Sequence, residues 1–187
     1  MTQNEVIKRL REGNHRFVND NLNGGNNHSE RREHLTSGQS PYAIVLCCAD
    51  SRVVPEMLFD TGLGEVFVIR VAGNIANASS IASIEYAVAH LKTNTIVVLG
   101  HESCGAVKAA MAGGDLGNNL NHLVSYINPS VEKGLEEKET IHLNAQLNAQ
   151  RLIDDSEIIA DAVNSKQVQI LPAYYNLSNG AVDFLNK

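Results

Sequence analysis

Ile44-Val45-Leu46-Cys47-Cys48-Ala49-Asp50-Ser51-Arg52 joins a short apolar run to a loop of chemically reactive side chains. Further along the chain, the apolar run 95–99 ends in a similar way, at Gly100-His101-Glu102-Ser103-Cys104-Gly105. Short Val, Ile and Leu runs bounded by turn residues are consistent with buried strands. Open α/β sheets bind ligands at the carboxyl ends of their strands. The two segments therefore predict strands whose ends form the two halves of one metal site.

The rest of the chain alternates apolar runs with helical patterns, which indicates a parallel sheet covered on both faces. We expect an α/β fold with a mostly parallel central sheet flanked by helices and with an amino-terminal helical arm. Thr2 and Glu5 have the form of a capping box, which predicts a helix from about 3 to 18. Residues 19–38 predict an exposed connection that includes one helical turn. The predicted strands are 42–48, 66–70, 95–99 and 167–175, with a strand or short helix at 181–185; the predicted helices are a short one from Pro55, then 78–91, 106–111, and two or three between 118 and 163.

Composition restricts the classes of function. The chain has 187 residues, three cysteines and a formal net charge of -6. This length favours a single domain spanning 1–187. The absence of a basic stripe argues against a nucleic-acid partner, and no apolar run approaches the length of a membrane span. The amino terminus has no signal-peptide pattern, so we expect a cytoplasmic location, where three cysteines indicate metal ligation better than disulfides.

The metal-ligating candidates are Cys48, His101 and Cys104. Zinc takes thiolate and neutral imidazole, and a catalytic zinc site keeps three protein ligands so that water can fill the fourth position. The alternative is two buried structural cysteines and a surface histidine. Neighbouring Cys47 could also ligate or form a redox pair, but successive strand residues point to opposite faces, so we assign Cys47 to packing.

Asp50 and Arg52 follow Cys48 by two and four positions. A carboxylate beside a zinc-bound water can orient that water, or can itself ligate the metal. Arg52 can hold Asp50 ionised through a two-pronged pairing. The alternative is a surface ion pair of little energetic consequence.

Together these residues resemble the metal site of the β-class carbonic anhydrases, in the pattern Cys48-x-Asp50-x-Arg52 with His101-x-x-Cys104. The resemblance extends over most of the chain. It includes the segments Glu12-Gly13-Asn14-x-Arg16-Phe17, Gly64-Glu65-x-Phe67-Val68-x-Arg70, Ile84-Glu85-Tyr86-Ala87-Val88, Gly100-His101-x-x-Cys104-Gly105-Ala106-Val107 and Ala173-Tyr174-Tyr175-x-Leu177-x-x-Gly180.

The resemblance implies zinc-dependent, reversible hydration of carbon dioxide to bicarbonate and a proton, by attack of zinc-bound hydroxide. It implies one Zn²⁺ per chain on Cys48, His101 and Cys104, with Asp50 orienting the hydroxide and Arg52 holding Asp50.

The resemblance also implies a substrate pocket and a partner subunit. Phe67, Ala72 and Tyr86 fall where the family lines an apolar pocket, and the backbone N–H of Gly105 would contact bicarbonate. Gln39 matches a glutamine that, in the plant-like branch, donates a hydrogen bond to the substrate. In that branch the glutamine comes from the neighbouring subunit. A homodimer, or a tetramer built from dimers, is therefore expected, with zinc in the open, water-bound form at neutral pH.

Two departures from the family pattern bear on substrate range. Ala72 stands where a larger aliphatic residue is common, and Cys47 stands where a small residue is expected. Two alternatives remain: a hydrolase of carbonyl sulfide or carbon disulfide on the same scaffold, and a non-catalytic zinc or thiol sensor that uses Cys47 and Cys48. The six other histidines are expected at the surface or in packing.

Overall fold

The computed structural model describes residues 1–24 and 27–185 of the chain. Five strands are present there: β1 (Ala43–Cys47), β2 (Val66–Arg70), β3 (Thr95–His101), β4 (Gln169–Tyr175) and β5 (Val182–Phe184). The helices are α1 (Gln3–Val18), α2 (Ser29–Leu35), α3 (Pro55–Leu58), α4 (Ala78–Ala89), α5 (Gly105–Ala112), α6 (Asn118–Ser125), α7 (Glu137–Asp154) and α8 (Glu157–Asn164), with short 3₁₀ turns at Ala72–Asn74 and Asn128–Ser130. Within the described residues, no helix is both long and apolar enough to cross a membrane.

The strands form one sheet in the order β2-β1-β3-β4-β5. The first four strands are parallel, and only β5 runs antiparallel to its neighbour β4. Cys47 pairs with Leu99 on β3 and with Arg70 on β2. The ends of β1 and β3 are therefore adjacent at the carboxyl edge of the sheet. This confirms the expected α/β architecture.

Alternating side chains of the central strands enter two separate cores. Ile44 and Leu46 of β1 pack in a cluster with Ile84 of α4 and Leu152 of α7. Val45 and Cys47 point the other way and pack with Leu10 of α1 and Phe59. Because helices cover both faces, the strands are apolar throughout rather than alternating with polar residues.

Helix α1 begins at the predicted capping box and docks on the second face of the sheet. The Thr2 hydroxyl accepts a hydrogen bond from the Glu5 N–H, and the Glu5 carboxylate accepts one from the Thr2 N–H. Asn14 on the buried side of the helix donates to the carbonyl oxygens of Leu58 and Gly180. The amide of Asn14 thus joins α1 to α3 and to the turn before β5.

Several element ends differ from the predicted ones. Strand β3 runs two residues beyond Leu99, because its pairing with β4 continues to His101 and Tyr175. Helix α4 ends at Ala89, since Lys92 adopts a left-handed conformation with φ 58° and the Thr93 N–H returns to the Ala87 carbonyl. The predicted connection 19–38 contains the seven-residue helix α2, and its residues 25 and 26 lie outside the described chain. The final segment is a strand, and the region 118–163 contains three α-helices and a 3₁₀ turn at Pro129.

Candidate metal centre

The three predicted metal ligands converge at the carboxyl edge of the sheet. Cys48 follows β1 directly, His101 is the last residue of β3, and Cys104 is the residue before α5. Their Sγ and ring nitrogen atoms all lie within 4.8 Å of one another, and all three side chains are buried. The sheet register brings the two halves of the site together, because β1 and β3 are hydrogen-bonded neighbours.

The imidazole of His101 is held in the tautomer that suits a metal. Its Nδ1 lies 2.8 Å from the carbonyl oxygen of Glu102, which only a protonated Nδ1 can bond. The lone pair is then on Nε2, which is buried and has no hydrogen-bond partner among the described residues. A buried polar atom without a partner is costly, and metal-ligating histidines characteristically donate their other ring N–H to a carbonyl or carboxylate. Nε2 is therefore suited to a metal ion.

The loop that supplies this carbonyl is itself held firmly. The Glu102 N–H donates to the carbonyl of Tyr175 over 2.9 Å, and the Glu102 carboxylate accepts from the Ser178 N–H over 2.8 Å. Ser103 takes a left-handed conformation, with φ 55°, that turns the chain from His101 toward Cys104. The spacing His101-x-x-Cys104 thus places both ligands in the same cluster.

The two cysteine sulfurs lie close enough to influence each other's ionisation. Interaction with the Cys104 thiol lowers the pKa of Cys48, and the same interaction raises the pKa of Cys104. Backbone N–H groups of Gly73 and Asp50 also point at the Cys48 sulfur, at 3.3 and 3.4 Å. These donors favour a thiolate at Cys48, the form of cysteine that binds metals.

Asp50 and Arg52 form the predicted two-pronged pair beside the ligands. The Nε and Nη2 atoms of Arg52 lie 2.9 and 2.7 Å from the two carboxylate oxygens, and the Arg52 backbone N–H donates to the carboxylate over 2.9 Å. The side-chain bonds from Arg52 hold the pKa of Asp50 well below its usual range. Asp50 Oδ2 lies 3.9 Å from His101 Nε2. An ionised carboxylate thus stands at the edge of the cluster.

Arg70 makes a contribution that the sequence did not assign. From the end of β2, its guanidinium donates to the carbonyl of Cys48 over 3.2 Å and to the carbonyl of Asp50 over 2.7 Å. The 48–50 backbone is therefore held from the neighbouring strand. The available signal was the position of Arg70, which ends the strand next to the one that carries Cys48.

The similarity of the chain to known proteins agrees with this geometry. The family model described as carbonic anhydrase matches residues 43–182. The carbonic anhydrase of Mycolicibacterium smegmatis is 40% identical, with 94% of this chain and 90% of the relative covered, and carbonic anhydrase 2 of Mycobacterium tuberculosis is 38% identical over 92% and 88%. The chain belongs to the β-carbonic anhydrase family.

Solved β-carbonic anhydrases have the same fold. The Coccomyxa enzyme in complex with acetazolamide superposes with a TM-score of 0.76 at 29% identity, covering 83% of this chain and 76% of that one. The β-carbonic anhydrase CcaA gives the same TM-score at 26% identity, over 97% and 100% of the two chains. The expected family and the expected enzyme class are thereby confirmed.

Cys47 lies apart from the metal cluster, although it adjoins Cys48 in sequence. Cys47 packs with Val6, Leu10 and Phe59 beneath α1, whereas Cys48 packs with Cys104 and its neighbours in a separate cluster. Burial raises the pKa of the Cys47 thiol to about 12. The prediction that Cys47 is a packing residue is confirmed.

The other predicted site residues lie around the carboxyl edge or on the surface. Phe67 on β2 is partly buried, and its ring centroid is 6.4 Å from that of Tyr86, which is 48% exposed. Ala72 precedes Gly73 in the turn that contacts the Cys48 sulfur, and Gly105 is the first, exposed residue of α5. Gln39 is exposed in the connection before β1. Their roles in substrate binding stay predictions.

Proposed function

We propose that this chain catalyses the reversible hydration of carbon dioxide to bicarbonate and a proton, with one Zn²⁺ held by Cys48, His101 and Cys104. One observation carries the proposal: the unpartnered Nε2 of His101 converges with two cysteine sulfurs beside an ionised carboxylate. The relatives named carbonic anhydrase cover almost the whole chain.

The donor set fits zinc better than Mg²⁺ or Ca²⁺. Two thiolates and one neutral imidazole suit zinc, whereas Mg²⁺ and Ca²⁺ prefer oxygen ligands. Cys48, His101 and Cys104 would supply three protein ligands, which is the number typical of catalytic zinc sites. When bound in such a site, zinc lowers the pKa of coordinated water to about 7 and so supplies a nucleophile at neutral pH.

In this proposal Asp50 would accept a hydrogen bond from the attacking group and thereby orient it. Arg52 and the Arg52 backbone N–H occupy several lone pairs of the carboxylate, so the direction of the remaining ones is set. The lowered pKa keeps Asp50 an acceptor at neutral pH. We assign to the N–H of Gly105, the first residue of α5, the role of donating to the bicarbonate anion, as helix N-termini commonly do for anions.

Substrate binding is assigned to Phe67, Ala72 and Tyr86, whose apolar surfaces suit a molecule without charge or dipole. Gln39 is proposed to act in the site of a second copy, as in the plant-like branch of the family. Its exposure, and that of Tyr86, is consistent with a homodimer or a dimer-based tetramer. We further propose a single domain over 1–187 and a cytoplasmic location.

The alternatives are less well supported. A redox sensor using Cys47 with Cys48 is disfavoured, because the two side chains lie in different clusters. A hydrolase of carbonyl sulfide or carbon disulfide would use the same ligands, but the two mycobacterial relatives and the Coccomyxa enzyme are carbonic anhydrases.

Stopped-flow hydration of carbon dioxide at pH 8 tests the proposal. The zinc-loaded wild type should be far faster than buffer, and Asp50→Asn should lose about 10- to 100-fold, as is typical when a group that orients a metal-bound species is removed. Cys48→Ser should lose zinc as well as activity. The matched control is Cys47→Ala, which removes the adjacent thiol and should keep both. A wild type that carries one zinc per chain and is no faster than buffer would refute the proposal.

A further inference from the structure

The turn Ala72–Asn74 contacts the metal centre through its backbone. The Gly73 N–H donates to the Cys48 sulfur over 3.3 Å, in a buried environment. Gly73 has φ 73°, and a Cβ there would lie 2.6 Å from the Ile127 side chain. The positive φ favours glycine, and any larger residue would also require the Ile127 side chain to shift. The turn is thus shaped to bring one N–H group to a metal ligand.

Two asparagines on α7 hold this turn from behind. Asn144 and Asn148 are one helical turn apart, and both are at most 1% exposed. Asn144 Nδ2 donates to the Gly73 carbonyl over 2.9 Å. Asn148 Oδ1 accepts from the Ala76 N–H over 2.8 Å, and Asn148 Nδ2 donates to Asn144 Oδ1 over 2.9 Å.

These hydrogen bonds fix the orientation of both amides. The Ala76 N–H can only donate, so the atom of Asn148 that faces it is the oxygen. Asn148 Nδ2 then donates to Asn144, which leaves Asn144 Nδ2 directed at the Gly73 carbonyl. Buried polar side chains are found where their partners are complete, and this pair clamps residues 73–76 at both ends.

Helix α7 is well placed to act as a rigid support. A Cβ on Gly100 would lie 2.9 Å from Ile141 Cγ2, so α7 packs closely on β3 one residue before the ligand His101. The helix therefore contacts both sides of the metal cluster, through Gly100 on β3 and through Gly73 in the turn.

We infer that Asn144 and Asn148 are positioning residues for the metal centre, which they reach through the Gly73 N–H bond to Cys48. The inference rests on the proposed metal site but not on its activity toward carbon dioxide. A hydrogen bond to a thiolate withdraws electron density from the sulfur and fixes its direction. Loss of the clamp should therefore change how strongly Cys48 donates to a bound metal. Supporting contacts of this kind typically alter metal affinity by about 10- to 100-fold.

Cobalt-loaded protein gives a readout of the sulfur itself. In Asn144→Leu, which removes the donor at similar volume, the thiolate-to-cobalt charge-transfer band should move to longer wavelength, and zinc affinity measured by chelator competition should fall about 10-fold. Asn148→Leu should shift the band in the same direction by less. The matched control is Thr140→Val on the same helix, because, among the described residues, the buried Thr140 hydroxyl bonds only the Glu136 carbonyl one helical turn earlier. Its band and affinity should equal those of the wild type.

A second measurement uses the wild type alone, so it does not depend on whether a variant folds. In the wild type loaded with ¹¹³Cd, the amide proton of Gly73 should show scalar coupling to the metal through the Cys48 sulfur. An absent coupling would overturn the inference, as would an Asn144→Leu protein that is less stable but keeps the wild-type band and zinc affinity. A protein that shows the band shift yet hydrates no carbon dioxide would retain the inference and refute the proposed function.

Discussion

Gly13 lies where α1 crosses α3. For Gly13→Ala, helix propensity and close packing predict opposite effects on stability. Intrinsic propensity alone favours Ala over Gly in a helix interior by about 1 kcal/mol. The structure indicates the opposite result. A Cβ at Gly13 would lie 1.9 Å from the carbonyl oxygen of Phe59 and 2.6 Å from its carbonyl carbon. Both atoms belong to the backbone, so no side-chain rotation relieves the overlap.

The cost follows from the displacement that the methyl group forces. A carbon-oxygen contact of about 3.3 Å is needed, so α1 and α3 must separate by more than 1 Å. Asn14 would then lose its bonds to the Leu58 and Gly180 carbonyls, at about 1 kcal/mol each. Forcing apart a well-packed contact costs a further 1–3 kcal/mol. After the gain in propensity is subtracted, Gly13→Ala should destabilise the protein by roughly 2–4 kcal/mol.

Urea unfolding followed by circular dichroism, at one protein concentration and equal zinc loading, measures this loss. Gly105→Ala is the matched control, because a Cβ there meets no atom within 4 Å. That exposed change should stay within about 0.5 kcal/mol of the wild type. A Gly13→Ala protein as stable as the wild type, or more stable, would refute the close packing of α1 against α3.

Three further predictions concern charges and the metal. Arg16→Ala should lower the free energy of unfolding in urea by about 1.5–3 kcal/mol, because the Asp60 side chain is 3% exposed and would lose its charged partner. The double variant Arg16→Ala with Asp60→Asn should recover part of this loss. Strictly additive effects of the two substitutions would count against an ion pair. Tyr42→Phe should change stability at pH 7 by less than about 1 kcal/mol, since the Tyr42 hydroxyl is buried with no partner among the described residues. Burial raises the pKa of Tyr42 to about 12, so as the pH rises the phenol ionises in the unfolded protein before it ionises in the folded one. The stability of the wild type should therefore fall between pH 10 and 12 more steeply than that of Tyr42→Phe. Parallel stability profiles for the two proteins would contradict this. Removing the metal with a chelator should lower the melting temperature, because a ligand at 1,000 times its Kd adds about 4 kcal/mol; an unchanged melting temperature on full removal would show that the ion stabilises nothing.

The sequence predicted β1 to β4 because each contains a continuous apolar run, whereas Asp183 interrupts β5, for which a strand or a short helix was expected. It predicted the local part of the site because Cys48, Asp50 and Arg52 interact within five residues. The ends of elements were less certain. His101 belongs to β3 only because β4 continues to pair with it, and no local pattern in the sequence records that partner. The predicted end of α4 was two residues late, because the left-handed turn at Lys92 has no glycine to mark it.

The remaining parts of the site come from distant segments. Arg70 reaches the 48–50 backbone from the adjacent strand, and Gly73 reaches the Cys48 sulfur from the next loop. Asn144 and Asn148 support that loop from a helix some 70 residues later in the chain. Their spacing of four marks one face of a helix, but only the tertiary structure shows what that face contacts.

X-ray absorption at the zinc edge, on wild type reconstituted to one zinc per chain, tests the ligand set from which the proposed function follows. We expect two sulfur scatterers at about 2.3 Å together with a histidine signature, falling to one sulfur or to loss of zinc in Cys104→Ser and remaining at two in Cys47→Ala. A wild-type spectrum with fewer than two sulfurs, or a sulfur lost in Cys47→Ala, would contradict the assignment of Cys48, His101 and Cys104 as the zinc ligands.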